Sequence, residues 1–355
     1  SWGTAPSVFW FLLYEQKERP GGEPYRLSLC KRLRVADRRD KMRNIPAKGG
    51  AFIFCFAMWY NSIVINPQEE RLMRQYNKVY LEITNRCNLR CSFCPGTRRP
   101  PRTMSPAEFR LLAEKLRLAT RYLYLHLMGE PLLHPELPAL LAIAGELNFL
   151  VNITTNGTLL PQAGEALLAA PAVRKVSISL HSLEANDSRV FSAYLEGCIS
   201  FAKRAAAAGK LTGLRLWNLD GSLPGQNDLN GPMLEELHRA FPGEWPPVRE
   251  GHKIAERTYL EFGERFEWPD LSAGEREGDA FCYGLRDQFG VLCDGTVVPC
   301  CLDHEGDLAL GNLFTQPLEE ILSSPRARAI YEGFSGRQAR EELCRKCGYA
   351  RRFIR

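Results

Sequence analysis

Three cysteines stand within eight residues, Cys87, Cys91 and Cys94 in C-N-L-R-C-S-F-C. Their Cys-x3-Cys-x2-Cys spacing lets one loop wrap three thiolates around a metal centre, and three thiolates leave a four-coordinate zinc or a four-iron cluster one ligand short. An open position on a metal is where a cofactor or substrate binds. On spacing alone, a zinc site completed by a distant His or Cys stays open as the alternative. A second group, Cys282, Cys293, Cys300, Cys301, Cys344 and Cys347, lies near the C-terminus. Its C-R-K-C at 344–347 brings two thiolates to one metal from a single turn. G-T-V-V-P-C at 295–300 reads as a tight hairpin that aims one thiol. Cys30, Cys55 and Cys198 fit no spacing and read as ordinary thiols.

The rest of the chain must hold these groups in place. Its 355 residues, 45% hydrophobic and 25% charged, are enough for a packed core and exclude collagen-like, disordered and disulfide-stapled classes. The longest mostly apolar run, Ala51 to Tyr60 and then Ile63 to Ile65, is shorter than a membrane span and has no cleavage site behind it. The chain therefore reads as cytoplasmic with no membrane partner, a setting in which cysteines serve metals or catalysis rather than disulfides. Residues 1–72 hold 12 Lys/Arg against 7 Asp/Glu, which accounts for the whole net charge of +5. The remainder is balanced, and no nucleic-acid partner is expected.

Residues 1–72 show no sustained helical or strand period, and the chain opens with Ser1. They are expected to be a non-native or disordered extension ahead of a start at Met73, with a genuine short domain as the alternative. From Val79 on, strand-like runs (79–84, 122–127, 149–155, 175–180 and 214–219) alternate with helix-like ones (106–118, 136–147, 161–170 and 191–208). A sixth unit is expected from a helix at 232–241 and a strand near 258–262, inside a Gly/Pro-rich connecting region at 222–280. Such alternation predicts parallel strands with chemistry at their C-terminal ends. It does not choose between a doubly wound sheet and a barrel.

The first cysteine segment, with Phe93 ahead of the last Cys, resembles the signature of the radical SAM superfamily. H-L-M-G-E-P-L after the second strand, N-I-T-T-N-G-T at the third and S-I-S-L-H-S at the fourth are similar to further motifs of that family. The resemblance implies an α/β fold, a partial (β/α)6 TIM-like barrel with its core at 73–225 and the remainder of the barrel at 226–275. It also implies a [4Fe-4S] cluster on Cys87, Cys91 and Cys94 whose fourth iron chelates S-adenosylmethionine. One electron then cleaves the sulfonium to a 5'-deoxyadenosyl radical, with cluster potentials reaching about −700 mV. By the same resemblance Gly129 and Glu130 meet the cofactor's ammonium. Phe93 packs by the adenine, and Thr155, Asn156 and Ser179 bond the carboxylate or ribose. Turn or core roles stand beside each of these. His126, His134 and His181 are left unassigned.

The tail at 276–355 resembles the auxiliary-cluster region called SPASM or, in shorter form, twitch. That implies a second [4Fe-4S] cluster on Cys282, Cys300, Cys344 and Cys347, with Cys293 and Cys301 as competing ligands and a structural zinc ribbon as the alternative. No cysteine follows the C-x2-C pair, so one auxiliary cluster is expected, where a full region carries two. The implied function is hydrogen abstraction from a peptide or protein side chain, with an electron donor such as flavodoxin or ferredoxin. Small-molecule dehydrogenation is the alternative, and from another class a non-catalytic iron-sulfur or zinc redox protein. The molybdenum-cofactor cyclase family ends in Gly-Gly, whereas this chain ends in Phe353-Ile354-Arg355.

Overall fold

The computed structural model of the chain describes residues 76–185, 191–219, 230–275 and 280–353, which lie within one compact unit. The expectations for residues 1–72, Met73, Cys30 and Cys55 fall outside these residues.

Six strands are parallel neighbours in chain order: β1 (Lys78–Leu81), β2 (Tyr122–Tyr124), β3 (Leu150–Thr155), β4 (Val173–Ser179), β5 (Leu211–Leu219) and β8 (Thr258–Glu264). Helices α1 (Pro106–Leu116), α2 (Leu137–Glu146), α3 (Leu160–Ala169), α4 (Phe191–Ala207) and α5 (Asn230–Ala240) make the crossovers. Each crossover lands on the next strand along. The order never reverses as it does at the switch point of a doubly wound sheet, so the architecture is a (β/α)6 barrel left open. The sixth unit holds. The region read as connecting contains more structure than expected, because β7 (Gly251–Ala255) and β6 (Pro247–Val248) add antiparallel to β8 at that edge.

Strand alternation sorts the residues. Val79, Leu81, Ile83, Leu123, Leu125, Val151, Ile153, Val176, Ile178, Leu214, Leu216 and Leu260 are buried in one core with Phe109, Leu112, Leu140, Leu141 and Phe201 of the helices. Tyr80, Tyr124, Thr154, Lys175, Arg215, Trp217 and Glu261 occupy the alternate positions and face away from the helices. Their side chains reach over intervening strands: Arg215 of β5 donates to Thr154 of β3, and Lys175 of β4 pairs with Glu261 of β8. Such reach is expected where a sheet curls.

The C-terminal region continues the same sheet. β9 (Gln288–Val291) pairs parallel to β1 in the register Lys78↔Gln288 to Leu81↔Val291. The hairpin expected at G-T-V-V-P-C is present as β9 and β10 (Thr296–Val298). Gly295 turns it at φ +84°, where a Cβ would lie 2.4 Å from the Phe314 ring. Beyond β11 (Gly311–Asn312) come α6 (Leu318–Leu322), α7 (Pro325–Ser335) and the short α8 (Glu342–Arg345). Among the described residues, no helix is long and apolar enough to cross a membrane.

Candidate metal and cofactor site

Cys87, Cys91 and Cys94 sit on a loop at the C-terminal end of β1, and the chain closes that loop at its base. Thr84 and Thr103 form an antiparallel bridge. Asn85 donates from Nδ2 to the Pro100 carbonyl (2.9 Å) and accepts at Oδ1 from the Arg102 amide (2.7 Å). The far end runs into α1, where Ser105 and Glu108 complete a capping box with Pro106 in the first turn. Cys87 and Cys94 are exposed and Cys91 is half-buried. Burial, and after it the neighbouring Cys94 and Cys87, push the Cys91 thiol up to about 12. Metal ligation must displace these thiol protons.

Gly129 and Glu130 follow β2 and press against that loop. Gly129 has φ +78°, and a Cβ would lie 2.4 Å from the Thr84 carbonyl oxygen and 2.9 Å from that of Arg86. The Glu130 amide donates to Arg86 O (2.8 Å). The buried Glu130 carboxylate accepts from Leu132 N (3.0 Å), Thr155 Oγ1 (2.7 Å) and Asn156 N (2.7 Å). Asn156 in turn donates from Nδ2 to Asn88 Oδ1 (2.9 Å), inside the cysteine loop, and accepts at Oδ1 from Thr158. Thr155 and Asn156 are therefore committed to holding Glu130 and the loop together. Glu130 lies near enough to Cys87 to raise its thiol, behind the larger effect of burial. Gly129→Ala combines a left-handed backbone, costing about 1–3 kcal/mol, with collision against main-chain atoms. It is expected to lower iron content at the first site as well as stability, measured by iron assay beside thermal unfolding.

Ser179 ends β4, half-buried. Phe93 packs on the His181 ring with centroids 4.7 Å apart, and its carbonyl accepts from Trp268 Nε1 (2.9 Å). Burial holds His181 neutral, with its pKa lowered to about 4. His134 bonds the Met104 carbonyl at 2.7 Å and has a structural role.

Sequence reasoning missed a buried clamp. Glu82, an alternating polar position of V-Y-L-E-I-T, is fully buried and takes a two-pronged bond from Arg99 of the cysteine loop, both distances 2.8 Å. Its oxygens also accept from Met128 N (3.1 Å), next to Gly129, and from Cys293 N (3.2 Å). Arg99 Nε reaches the His304 carbonyl at 2.8 Å. One ion pair thus ties β1, the end of β2, the cysteine loop and the C-terminal region. No spacing in the sequence marks it.

The second thiol group lines one cavity. Cys282, Cys300, Cys301, Cys344 and Cys347 surround it with Asp303, Leu343 and Tyr349. Burial, followed by the proximity of Cys282, Cys301, Cys344 and Cys347, drives the Cys300 thiol well up. The Cys282 thiol rises to about 12 by burial, eased by the Gly284 amide that points at its sulfur (3.4 Å). Cys301 shares a hydrogen bond with Tyr80, and Cys293 stands apart at the Glu82 clamp. Cys198 is buried in α4 beside Tyr194. Soft thiolates in groups of three and five suit iron-sulfur clusters. Among the described residues, no three His, Cys, Asp or Glu side chains are gathered closely enough to hold a single ion.

Residues 81–228 match the radical SAM superfamily, and residues 282–348 match SPASM, an iron-sulfur cluster-binding domain. A GTP 3',8-cyclase of Chlorobaculum tepidum is 34% identical over 120 residues, covering 32% of this chain and only 36% of the cyclase. The chain thus spans about a third of that relative's length. A PqqA peptide cyclase of Granulibacter bethesdensis is 26% identical over 303 residues, covering 75% of this chain and 78% of the cyclase. The structure of Streptococcus suis SuiB bound to precursor peptide SuiA superposes with a TM-score of 0.50 at 15% identity, covering 86% of this chain and 77% of SuiB, a likeness of fold.

Proposed function

Because this chain belongs to the radical SAM superfamily and carries a SPASM iron-sulfur region, we propose that it abstracts a hydrogen atom from a peptide or protein side chain, leading to a crosslink or a two-electron oxidation. It is an enzyme, and its cofactors are S-adenosylmethionine, a [4Fe-4S] cluster and at least one further iron-sulfur cluster; the non-catalytic alternative falls away. When bound, the first cluster supplies the electron that cleaves S-adenosylmethionine, and the auxiliary cluster supplies a second redox centre.

The chain's own residues do the rest. Cys87, Cys91 and Cys94 hold the first cluster. Asn85, Asn156 and the Glu82–Arg99 pair fix the loop that presents it. Gly129 and Glu130 offer a carbonyl and a carboxylate to the cofactor's ammonium, with Thr155, Asn156, Phe93 and Ser179 around it. Cys282, Cys300, Cys344 and Cys347 hold the second cluster, with Cys301 beside them. A flavodoxin- or ferredoxin-type protein delivers the electron.

The observation that carries the peptide substrate is the likeness to a PqqA peptide cyclase over 75% of this chain and 78% of that cyclase. The test is anaerobic incubation of reconstituted enzyme, S-adenosylmethionine and dithionite with peptides encoded beside its gene, read by mass spectrometry. A peptide that loses two hydrogen atoms in step with 5'-deoxyadenosine release is expected. Unchanged peptides alongside oxidation of a small alcohol would assign the enzyme to small-molecule dehydrogenation.

A further inference from the structure

The sheet face turned away from the helices carries polar groups that the cofactor reading does not use. Tyr80, Tyr124 and His126 stand there in ring contact, with centroids 5.1 to 6.1 Å apart. Arg215 donates from Nη1 to Thr154 Oγ1 (3.2 Å) and from Nε to Glu261 (3.0 Å), and Glu261 also pairs with Lys175. Two cations against one carboxylate leave this group net positive. The Trp217 ring lies against the Arg215 guanidinium, 4.6 Å from its centroid. Gly213 and Gly263 make the room, since a Cβ at either would strike Glu261 or Trp217.

Among the described residues, three buried nitrogens of this face have no hydrogen-bond partner: His126 Nδ1, Asn152 Nδ2 and Trp217 Nε1. An indole N–H and an amide NH2 can only donate. Burial and the nearby Arg215 keep His126 neutral, its pKa lowered to about 3, so it retains one N–H, and its Nδ1 is a donor in the Nδ1–H tautomer. A buried donor left unmet costs about 1–3 kcal/mol. What is missing is a set of acceptors.

We propose that this face binds the substrate through an anionic oxygen group, a carboxylate or phosphate, received by Arg215, Trp217 and His126. The inference rests on the radical-enzyme reading and deepens it, for it names the substrate chemistry at the open side of the barrel. In a peptide the group is an Asp or Glu side chain near the modified residue. In a small molecule it is a phosphate.

Isothermal titration of reconstituted, S-adenosylmethionine-loaded enzyme tests this with three probes: the capped peptide acetyl-Gly-Asp-Gly-amide, its Asn counterpart and inorganic phosphate. One saturable site per chain is expected for the Asp peptide or phosphate, with the Asn peptide at least about tenfold weaker. Trp217→Phe, which keeps the ring and removes the N–H, should weaken the charged probe about tenfold, a hydrogen bond to a charged group being worth about 1.5 kcal/mol or more. His126→Phe should act in the same direction. Unchanged circular dichroism and iron content certify each variant. Equal binding of the Asp and Asn peptides, no saturable binding of either anion, or binding untouched by both substitutions would overturn the proposal. Phosphate binding without Asp-peptide binding keeps the anion site and removes the peptide substrate. Release of 5'-deoxyadenosine from the same sample reports on the radical reading separately, since binding needs no turnover.

Discussion

Replacing Arg99 with methionine is expected to cost about 3–5 kcal/mol of stability, because it leaves the Glu82 carboxylate buried without its cation. Glu82 is fully buried and the Arg99 side chain is only 12% exposed, so water cannot take over. The amides of Met128 and Cys293 still point at Glu82, but they carry no full charge. The same change frees the cysteine loop from His304, so iron at the first site should fall with stability. Thermal unfolding by circular dichroism checks the cost, and the double variant Glu82→Gln, Arg99→Met should recover part of it by removing the stranded charge. A loss below about 1 kcal/mol, the range of an exposed pair, would show that the clamp does not hold the two cysteine regions together.

The second large effect concerns metal content. Two four-iron clusters give about eight irons per chain, and replacing Cys87, Cys91 and Cys94 together by Ala should remove about half. The two thiol groups occupy separate places, the exposed loop after β1 and the cavity beyond β10, so one can empty while the other stays filled. Iron analysis of anaerobically reconstituted protein measures this. Stoichiometric zinc in place of iron, or loss of all iron from the triple variant, would contradict the assignment. Losing a metal can destabilise the region it organises, so circular dichroism accompanies the assay.

The strands and helices were legible because each carries its own period, while their closure toward a barrel rather than a doubly wound sheet came only from the family resemblance. V-Y-L-E-I-T and K-V-S-I-S-L alternate as strands buried on one face do, and helix-like runs recur between the strands. The ends of α1 to α4 fall within two residues of the expected ones. Contacts between distant residues were not legible. The pairing of β9 with β1 joins residues some 210 positions apart, and Glu82 gives no sign in the sequence that its charge is buried. The competition between Cys293 and Cys301 was open for the same reason, since both lie near Cys300 in sequence but only Cys301 reaches the cavity. The polar residues of the inner face were visible as the alternate members of each strand. That they meet there with unmet donors depends on the curl of the sheet.

Cys87, Cys91 and Cys94 are proposed to hold the cluster that cleaves S-adenosylmethionine, and the C-terminal thiols are not. The direct measurement is 5'-deoxyadenosine formed by reconstituted protein with S-adenosylmethionine and dithionite, without substrate. Cys87→Ala should abolish it. Cys344→Ala, if folded, should retain measurable uncoupled cleavage. A well-folded Cys87→Ala variant releasing 5'-deoxyadenosine at the wild-type rate would contradict the assignment.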